Sequence, residues 1–540
     1  MKNSIIIIFI CLFSNLNFAQ SNGFESVKNL DLINLIYLNL EKFYVEEPAI
    51  GNISKAGIDA MLEELDPYTV YYHEANMEDY RIMTTGQYGG IGALIRPVDD
   101  HVIISEPYEG NPAQLAGLKA GDIILSIDGK SMLNKSSDEV SEALKGSKGS
   151  TINVTVDRPY IGEKSIEITR DEIKLPDVPY SGMVAPRIGY IKLNSFTQTA
   201  STNVLNAFKE LKSEGMDNLI LDLRGNGGGL LIEAVNIVNL FVDKNQPIVF
   251  TKSRIVEENR TYATRNEPVN LEIPIVVLID ENSASASEIV AGSLQDLDRA
   301  IIIGQTSFGK GLVQRTVDLK YGSKMKLTIA KYYTPSGRCV QKLDYYHKND
   351  GKVEEVPDSL ITIFKTKNGR DVIDGRGIEP DFIIEKSPIS ELTTRLILEN
   401  LIFEYATLYC NKTEITSSPN EFTLDEIDYK NFVDFVKEKK IDFASNTEIA
   451  IQEVMEMCKN QNTPNLESEF ESILTKIRQS NSEQFVNDKT SIIQLLENEI
   501  ISRKYFQTGR IIHSFKSDDD LNKAIEILND KKLYNTTLNL

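Results

Sequence analysis

Three closely spaced serines lie where a predicted buried strand passes into a predicted helix, at positions 283, 285 and 287. A serine at such a junction sits on a sharp turn beside helix N–H groups that lack an intrahelical acceptor, and these groups can stabilise an oxyanion. Ser285 is therefore a candidate nucleophile. The segment from Ser285 to Glu288 also fits a capping box, in which the serine only caps the helix. These residues alone leave both interpretations open, and the absence of a Gly-x-Ser-x-Gly string gives no support to an α/β-hydrolase turn.

A nucleophilic serine needs a base, and histidine is scarce in this chain. None of the four histidines falls between residues 187 and 341, which disfavours a Ser-His-Asp triad without excluding one. Lysine can replace histidine when its pKa is lowered from about 10.4 towards 7 by burial or by nearby positive charge. The histidines are His73, His101, His347 and His513.

Lys310 is the candidate base, because the glycines on either side of it allow another backbone to approach closely. If this stretch is extended, Lys310, Leu312 and Gln314 share one face, so that the amide of Gln314 could orient the lysine. The alternative is a solvent-exposed turn lysine.

A glycine-rich segment follows the predicted strand that ends at Leu223 and runs from Arg224 to Gly229. Its backbone N–H groups could bind an anion. A dinucleotide site is the rival interpretation, but Leu230 stands where its third glycine is expected. A simple flexible loop is the remaining alternative.

These candidate residues fall within a region where predicted strands alternate with predicted helices, which is typical of α/β layers. A β-rich module with glycine-rich turns precedes that region, a helical segment precedes the module, and the chain is predicted to be helical again beyond residue 386. The predicted strands are 188–193, 218–223 and 273–279, and the predicted helices are 199–213, 230–241 and 285–297.

The composition narrows the class of protein and its compartment. A chain of 540 residues should form several domains, and its formal net charge of −21 argues against nucleic-acid or anionic-membrane partners. Lys2, an apolar run over residues 5–13 and Ala19 indicate a signal peptide cleaved near Ala19. The run is shorter than the roughly 20 residues of a membrane span, so we expect a secreted, periplasmic protein without an integral membrane span.

The number and spacing of the cysteines do not indicate a disulfide scaffold. Cys11 lies in the predicted leader, and the odd number that remains, Cys339, Cys410 and Cys458, argues against a disulfide scaffold, although Cys410 and Cys458 could pair. No Cys-x-x-Cys or His-x-x-x-His spacing occurs, so a structural zinc site is not expected.

Taken in order, the glycine loop, the serine string and the Phe308-Gly309-Lys310-Gly311 string resemble the carboxy-terminal processing peptidases, or tail-specific proteases. Position 227, often proline in that family, is glycine here. The resemblance implies that Ser285 is the nucleophile, Lys310 the base and Gln314 its orienting residue. It also implies that the N–H groups of Gly229 and Ala286 form the oxyanion hole.

The β-rich module is similar to the PDZ domain that this family inserts before its peptidase core. A PDZ domain holds a terminal carboxylate on successive N–H groups while the peptide adds a strand to the sheet. The stretch from Asn111 through Gly117 to Gly129 is similar to the most recognisable part of that domain. The residues implied to bind the carboxylate are Tyr88, Gly89, Gly90, Ile91 and Gly92.

The resemblance covers roughly residues 27 to 385, with flanking motifs at 64–68 and 377–381, and it implies a fold and an activity. The expected fold is a multi-domain α/β protein with a ClpP/crotonase-like peptidase core. The expected activity is cleavage of proteins near free C-termini without a metal or nucleotide cofactor; a non-catalytic PDZ scaffold and a nucleotide-binding enzyme are the alternatives. The expected regions are the signal peptide (1–19), an N-terminal helical segment (20–85), the PDZ domain (86–172), the Ser/Lys core (173–385) and a helical extension (386–540).

Overall fold

The computed structural model describes residues 2–73, 77–386, 388–439, 446–460 and 466–540, with only the backbone described for 2–22 and a few internal positions. The chain forms two compact units, Met1–Met77 with Gln314–Ile329, and Glu78–Val313 with Ala330–Leu540. Within the described ranges, no helix combines the length and apolarity required to cross a membrane. The predicted signal peptide lies outside the residues with described side chains and stays a prediction.

The smaller unit is mainly helical but also contains strand pairing that the helical prediction for its N-terminal part lacked. Val70 in its short strand lies opposite Lys326 in an antiparallel pair. The predicted turn before this strand is confirmed, because Asp66 Oδ1 accepts the N–H groups of Tyr68 and Thr69, each at 2.8 Å. Its N-terminal elements are α1 (Lys2–Phe43), α2 (Ile50–Glu63) and β1 (Val70–Tyr72).

The next region is the predicted β-rich module, and its main sheet has antiparallel neighbours in the order β3 (Ala93–Val98), β4 (His101–Pro107), β5 (Ile123–Ile127), β7 (Thr151–Arg158) and β8 (Gly162–Thr169). Alternate residues of β7 point into the core, where Ile152, Val154 and Val156 are buried. The elements are α3 (Met77–Thr85), β2 (Gln87–Gly90), β3 (Ala93–Val98), β4 (His101–Pro107), α4 (Pro112–Leu115), β5 (Ile123–Ile127), β6 (Lys130–Ser131), α5 (Ser137–Leu144), β7 (Thr151–Arg158), β8 (Gly162–Thr169) and β9 (Asp171–Lys174).

The α/β region follows, and it confirms the predicted alternation of strands and helices with shifts of one or two residues at most ends. Its first elements are β10 (Tyr180–Ala185), β11 (Ile188–Lys192), α6 (Ala200–Ser213), β12 (Asn218–Asp222), α7 (Leu231–Asn239), β13 (Pro247–Ser253), β14 (Arg260–Ala263), β15 (Ile275–Ile279), α8 (Ala286–Asp296) and β16 (Ile301–Gly304). The remaining strands are β17 (Leu312–Asp318), β18 (Lys324–Tyr333), β19 (Leu343–Asn349), β20 (Lys352–Glu355), β21 (Ile363–Lys365), β22 (Asp371–Ile373) and β23 (Phe382–Ile383).

The central sheet of this region has the order β10-β11-β12-β15-β16-β23, parallel except for the β10–β11 pair. Its strands are apolar on both faces, as expected for a parallel sheet covered on both sides. Leu219 and Leu221 of β12 face a core formed with α6, α7 and α8, whereas Ile220 faces the opposite side.

The C-terminal region is helical, as predicted, and its helices form two groups. The helices α9 (Glu391–Leu398), α10 (Leu401–Lys412), α11 (Glu426–Glu438) and α14 (Lys489–Ser514) enclose their own core around Phe432 and Leu496. Helices α15 (Asp519–Asn529) and α16 (Lys531–Thr537) instead cover the second face of the central sheet, where Leu521 and Tyr534 are buried. The helices are α9 (Glu391–Leu398), α10 (Leu401–Lys412), α11 (Glu426–Glu438), α12 (Asn446–Asn460), α13 (Glu467–Asn487), α14 (Lys489–Ser514), α15 (Asp519–Asn529) and α16 (Lys531–Thr537). Short 3-10 turns occupy Val256–Glu258, Lys320–Gly322, Asp358–Leu360 and Phe515–Ser517.

Candidate active site

Ser285 immediately precedes α8, and its backbone separates the two interpretations of the sequence. Its φ of 56° and ψ of −109° differ from the extended conformation usual at an N-cap, and such a conformation is strained by about 1–3 kcal/mol in a non-glycine residue. The capping-box prediction is right for Glu288, whose carboxylate accepts the Ser285 N–H at 2.8 Å. The strained turn resembles the strand-to-helix turns that expose serine nucleophiles, which an ordinary cap does not require.

Glu288 links the serine segment to the lysine segment. Its buried Oε2 accepts the N–H groups of both Ser285 and Lys310, each at 2.8 Å. Its Oε1 accepts the Gly309 N–H at 2.7 Å and the Ser307 hydroxyl at 2.6 Å. Burial raises the pKa of Glu288, although the four donors oppose this shift. One carboxylate thus fixes the backbones of Ser285 and Lys310 beside each other.

The glycines around Lys310 serve the close approach that was predicted for them. A Cβ on Gly309, which has a φ of 86°, would lie 2.4 Å from Lys342 Cβ, and a Cβ on Gly311 would lie 2.8 Å from Gln341 N. Strand β17 begins only at Leu312. Lys310 therefore precedes the strand, and the prediction that it shares a strand face with Gln314 is not supported by a continuous strand.

Gln314 belongs to the smaller unit, where a chain of hydrogen bonds holds its amide. Its Nε2 donates to Thr328 Oγ1 at 3.2 Å, and this hydroxyl donates to Asp66 Oδ1 at 3.2 Å. The Asp-Pro turn is thereby connected to the glutamine, a link that the sequence did not indicate. The predicted orienting role of Gln314 stays a prediction.

The glycine loop lies directly against the serine. A Cβ on Gly228, where φ is 101°, would stand 2.9 Å from Ser285 Cβ and 3.0 Å from Ala286 N. Gly229 forms a parallel bridge with Phe196. Asn226 joins the loop to the serine segment, because its carbonyl accepts the Ala284 N–H at 3.0 Å.

Of the two predicted oxyanion donors, Ala286 directly follows Ser285 in the chain, and Gly229 directly follows Gly228, the loop residue that lies against Ser285. Ala286 is the first residue of α8, so its N–H has no intrahelical acceptor. Throughout the described part of the chain we find no acceptor for the N–H of either residue. The structure thus brings Ser285, the Lys310 backbone, Gly229 and Ala286 into one neighbourhood.

Two further features of this site had no clear signal in the sequence. The buried Tyr332 hydroxyl donates to the Ser285 carbonyl at 3.2 Å and so braces the strained turn from β18. Arg224, at the start of the glycine loop, binds carboxylates from distant parts of the chain. No group of three His, Cys, Asp or Glu side chains suited to a metal occurs among the described residues.

The residues predicted to bind a carboxylate are divided between a strand and a loop. Tyr88, Gly89 and Gly90 pair with β9 through β2. Beyond the strand, the Ile91 carbonyl accepts the Ala113 N–H at 2.7 Å, and the Gly92 carbonyl accepts the Tyr108 N–H at 2.9 Å. No described residue accepts the N–H groups of Ile91 and Gly92, which makes these two the better placed donors for a ligand.

The three cysteines predicted to remain after the leader are all free in the structure. Cys410 and Cys458 are therefore not paired. Burial raises the pKa of the Cys410 thiol to about 11.

Comparison with known families matches three segments of the chain. The model of peptidase family S41 matches residues 187–346, a PDZ domain model matches 103–158, and the model "Probable PDZ-protease, C-terminal helical domain" matches 392–528. The predicted family resemblance and the predicted fold class, a mixed α/β protein with a PDZ domain and a helical C-terminal region, are confirmed.

The chain is also similar to individual proteins. A probable CtpA-like serine protease of Staphylococcus aureus (strain COL) is 33% identical over 340 residues, which are 62% of this chain and 67% of the relative. Its counterpart from S. aureus strain bovine RF122 / ET3-1 is 34% identical over 58% of this chain and 62% of its own length. The chain thus spans about two thirds of these relatives. Among solved structures, the photosystem II D1 C-terminal processing protease is 28% identical, with a TM-score of 0.37 over 65% of this chain and 86% of that one.

Proposed function

Because the chain belongs to peptidase family S41, we propose that it is an exported serine endopeptidase that cleaves proteins near their C-termini. In this proposal Ser285 is the nucleophile and Lys310 the general base. The observation that carries it is the strained Ser285 turn, whose N–H shares the Glu288 carboxylate with the N–H of Lys310. A helix cap or a peptide-binding scaffold needs neither the strain nor this connection.

The proposed reaction is acyl transfer through serine. The neutral amine of Lys310 takes the hydroxyl proton as Ser285 Oγ attacks the scissile carbonyl carbon, and the carbonyl oxygen becomes an oxyanion. The intermediate collapses as the C–N bond breaks and the lysine ammonium protonates the leaving amine. Water, deprotonated by the same lysine, then attacks the ester and releases the new C-terminus while Ser285 regains its proton.

The N–H groups of Gly229 and Ala286 are the proposed oxyanion donors. Preorganised donors aimed at developing charge are commonly the largest single contribution to such a reaction. Both groups lack an acceptor within the described residues; Ala286 follows Ser285 directly, and Gly229 follows Gly228, which lies against Ser285. Gln314 is the proposed orienting residue for Lys310, and its amide is already fixed by Thr328.

The PDZ domain is proposed to hold the substrate's terminal carboxylate on the N–H groups of the Tyr88–Gly92 segment, chiefly those of Ile91 and Gly92. Backbone donors suit a chain with a net charge of −21, because they bind an anion locally without a basic surface. A tail peptide with a free carboxylate should bind, and the same peptide with a C-terminal amide should bind much more weakly. Equal affinity of the acid and the amide would refute this assignment.

The proposed location is the periplasm, reached through the predicted signal peptide of residues 1–19. We expect protein or peptide partners with free C-termini and no nucleic-acid partner. The experiment is N-terminal sequencing of the mature protein from a cell-envelope fraction, with a start near Gln20 as the expected result. A chain retained in the cytoplasm with its full N-terminus would contradict it.

The catalytic assignment is tested with Ser285→Ala and Lys310→Ala on a protein with an apolar tail. We expect both variants to lose cleavage while tail binding persists. Ser293→Ala is the matched control, because it removes another buried hydroxyl from α8, one whose hydrogen bond within the described residues goes to the Ile248 carbonyl. Full cleavage by either active-site variant would reject the proposed roles, and tail binding by a wild-type chain that never cleaves would favour the scaffold alternative.

A further inference from the structure

Arg224, where β12 passes into the glycine loop, is held by carboxylates from the C-terminal helical region. Its Nη1 donates to Asp518 Oδ1 at 2.8 Å and to Asp520 Oδ2 at 2.9 Å, and its Nη2 donates to Asp518 Oδ2 at 2.7 Å. The exposed fractions of the three side chains are 18%, 10% and 7% for Arg224, Asp518 and Asp520. Two parallel bonds between a guanidinium and one carboxylate fix orientation as well as position.

The same guanidinium also binds Asp222, the last residue of β12. Arg224 Nη2 donates to Asp222 Oδ2 at 2.7 Å, and Lys192 Nζ donates to Asp222 Oδ1 at 3.1 Å. Burial acts to raise the pKa of Asp222, but Arg224 and Lys192 outweigh burial and hold that pKa well below its ordinary value. The cluster thus places the carboxylates of Asp222, Asp518 and Asp520 around the two cations, and burial raises the pKa of Asp520 while Arg224 opposes this shift.

The backbone at the start of the loop is fixed by this network as well. The Arg224 N–H donates to Asp222 Oδ1 at 2.8 Å, and the Arg224 carbonyl accepts from Lys192 Nζ at 2.5 Å. The following N–H, of Gly225, donates to Asp280 Oδ1 at 2.8 Å. Arg224 is thus anchored by both side chain and backbone, a few residues before Gly228 approaches Ser285.

The side-chain carboxylates of Asp518 and Asp520 lie at the start of a helix that packs on the central sheet. Asp518 caps α15 by accepting the Leu521 N–H at 3.0 Å, and Asp520 lies in the first turn of this helix. Leu521 and Ala524 are buried against the central sheet. Helix α15 therefore holds both carboxylates at a fixed place relative to the strand that carries Arg224.

We propose that Asp518 and Asp520 are positioning residues for the peptidase reaction. Through Arg224 they hold the glycine loop, and through the loop they hold the N–H of Gly229 against the turn of Ser285. This inference rests on the proposed function. It gives α15 a positioning role in the reaction, in addition to its packing on the sheet.

The expected effect is smaller than the loss of an oxyanion donor, which costs about 10²–10³ in kcat. The donor remains in these variants and moves only slightly, because Asn226 and Phe196 still hold the middle and end of the loop. We expect about a tenfold loss for one neutralised carboxylate and about a hundredfold loss for both, since an ångström of misplacement can cost about 10².

The experiment compares Asp518→Asn, Asp520→Asn and the double variant in the full chain. Asparagine caps helices as well as aspartate, so the change at 518 removes the charge and keeps the cap. The matched control is Asp530→Asn, at the N-cap of α16, which accepts the N–H groups of Lys532 and Leu533. We measure the labelling rate with a fluorophosphonate probe, kcat and KM for a tail substrate, and affinity for the tail alone.

We expect labelling and kcat to fall by the factors above, while KM, tail affinity and the control variant stay within about twofold of wild type. In an Arg224→Met background, neutralising both carboxylates should cause no further loss, because residues that act only through Arg224 are not additive with it. Arg224→Lys keeps the charge but loses the guanidinium that binds a carboxylate through two parallel hydrogen bonds. It serves as the background if the methionine variant does not fold.

Unchanged labelling in the double variant, losses that add in the Arg224 background, or a loss fully explained by a smaller folded fraction would each overturn the inference. Ser285→Ala is included to distinguish failure of this inference from failure of the proposed function. If it abolishes cleavage while the aspartate variants behave as wild type, only this inference fails. If Ser285→Ala cleaves normally, the proposed function itself fails.

Discussion

Replacing Glu288 with glutamine should impair both folding and chemistry, because an amide cannot accept from all the donors that surround this carboxylate. Glu288 accepts from Ser307 and Gly309 through Oε1, and from Ser285 and Lys310 through Oε2. A glutamine NH₂ would face one of these pairs. The cheaper orientation puts it towards Ser307, whose hydroxyl can rotate and accept, and leaves the Gly309 N–H without an acceptor.

The change in the free energy of unfolding follows from the hydrogen bond that the Gly309 N–H loses and from the removal of the Glu288 charge. An unsatisfied buried N–H costs about 1–3 kcal/mol, and the neutral amide partly offsets this because the burial cost of the carboxylate disappears. We expect the free energy of unfolding to fall by about 1–3 kcal/mol. Gly309 immediately precedes Lys310, so a shift of the lysine by an ångström should lower kcat by about 10- to 100-fold.

The assay is urea unfolding of the full chain together with the rate of fluorophosphonate labelling. The control is Glu281→Gln, an exposed carboxylate a few residues earlier that pairs only loosely with Lys386 at 3.6 Å. The control should change stability by less than about 0.5 kcal/mol and leave labelling unchanged. A Glu288→Gln variant with the stability and labelling rate of wild type would refute this reasoning.

Three further results are expected. Gly228→Ala should abolish labelling, because its Cβ would lie 2.9 Å from Ser285 Cβ at a φ of 101°, and wild-type labelling would show that the loop does not press on the serine. Tyr332→Phe, which removes the bond to the Ser285 carbonyl, should lower kcat about 3- to 30-fold with KM unchanged, as steady-state kinetics will show; a change in KM alone would contradict it. Burial raises the pKa of Glu288, so the native state keeps this proton after the unfolded state releases it near pH 4.5. The free energy of unfolding of wild type, relative to that of Glu288→Gln, should therefore fall as the pH rises from the unfolded pKa of Glu288 through its native pKa. If urea unfolding shows that this difference rises instead, the prediction is wrong.

The sequence allowed the central layers and the motif-bearing loops to be predicted because their signals are local. The apolar runs around Leu221 and Val277 indicate strands buried on both faces, and the structure buries both residues completely. The turn at Asp66-Pro67 could also be predicted from its residue types. The short strand β1 was missed, since three residues within a helical pattern give too little periodicity to detect.

Parts of the site could not be predicted because they depend on contacts between distant residues. Glu288 was visible as the partner of Ser285 in a capping box, but its bonds to Gly309 and Lys310 arise only when two loops meet. The positive φ of Ser285 has no signature in residue type. Nothing in the local sequence pairs Arg224 with a carboxylate almost three hundred positions later, so the link to Asp518 needed the folded chain.

The central claim, that Ser285 is the nucleophile, is tested most directly by locating the covalent adduct of a fluorophosphonate probe by peptide mass spectrometry of the full chain. The account predicts one adduct, on Ser285, that forms far more slowly in the Lys310→Ala variant and at the wild-type rate in Ser293→Ala. An adduct on Ser283 or Ser287 instead, or labelling that does not depend on Lys310, would contradict it.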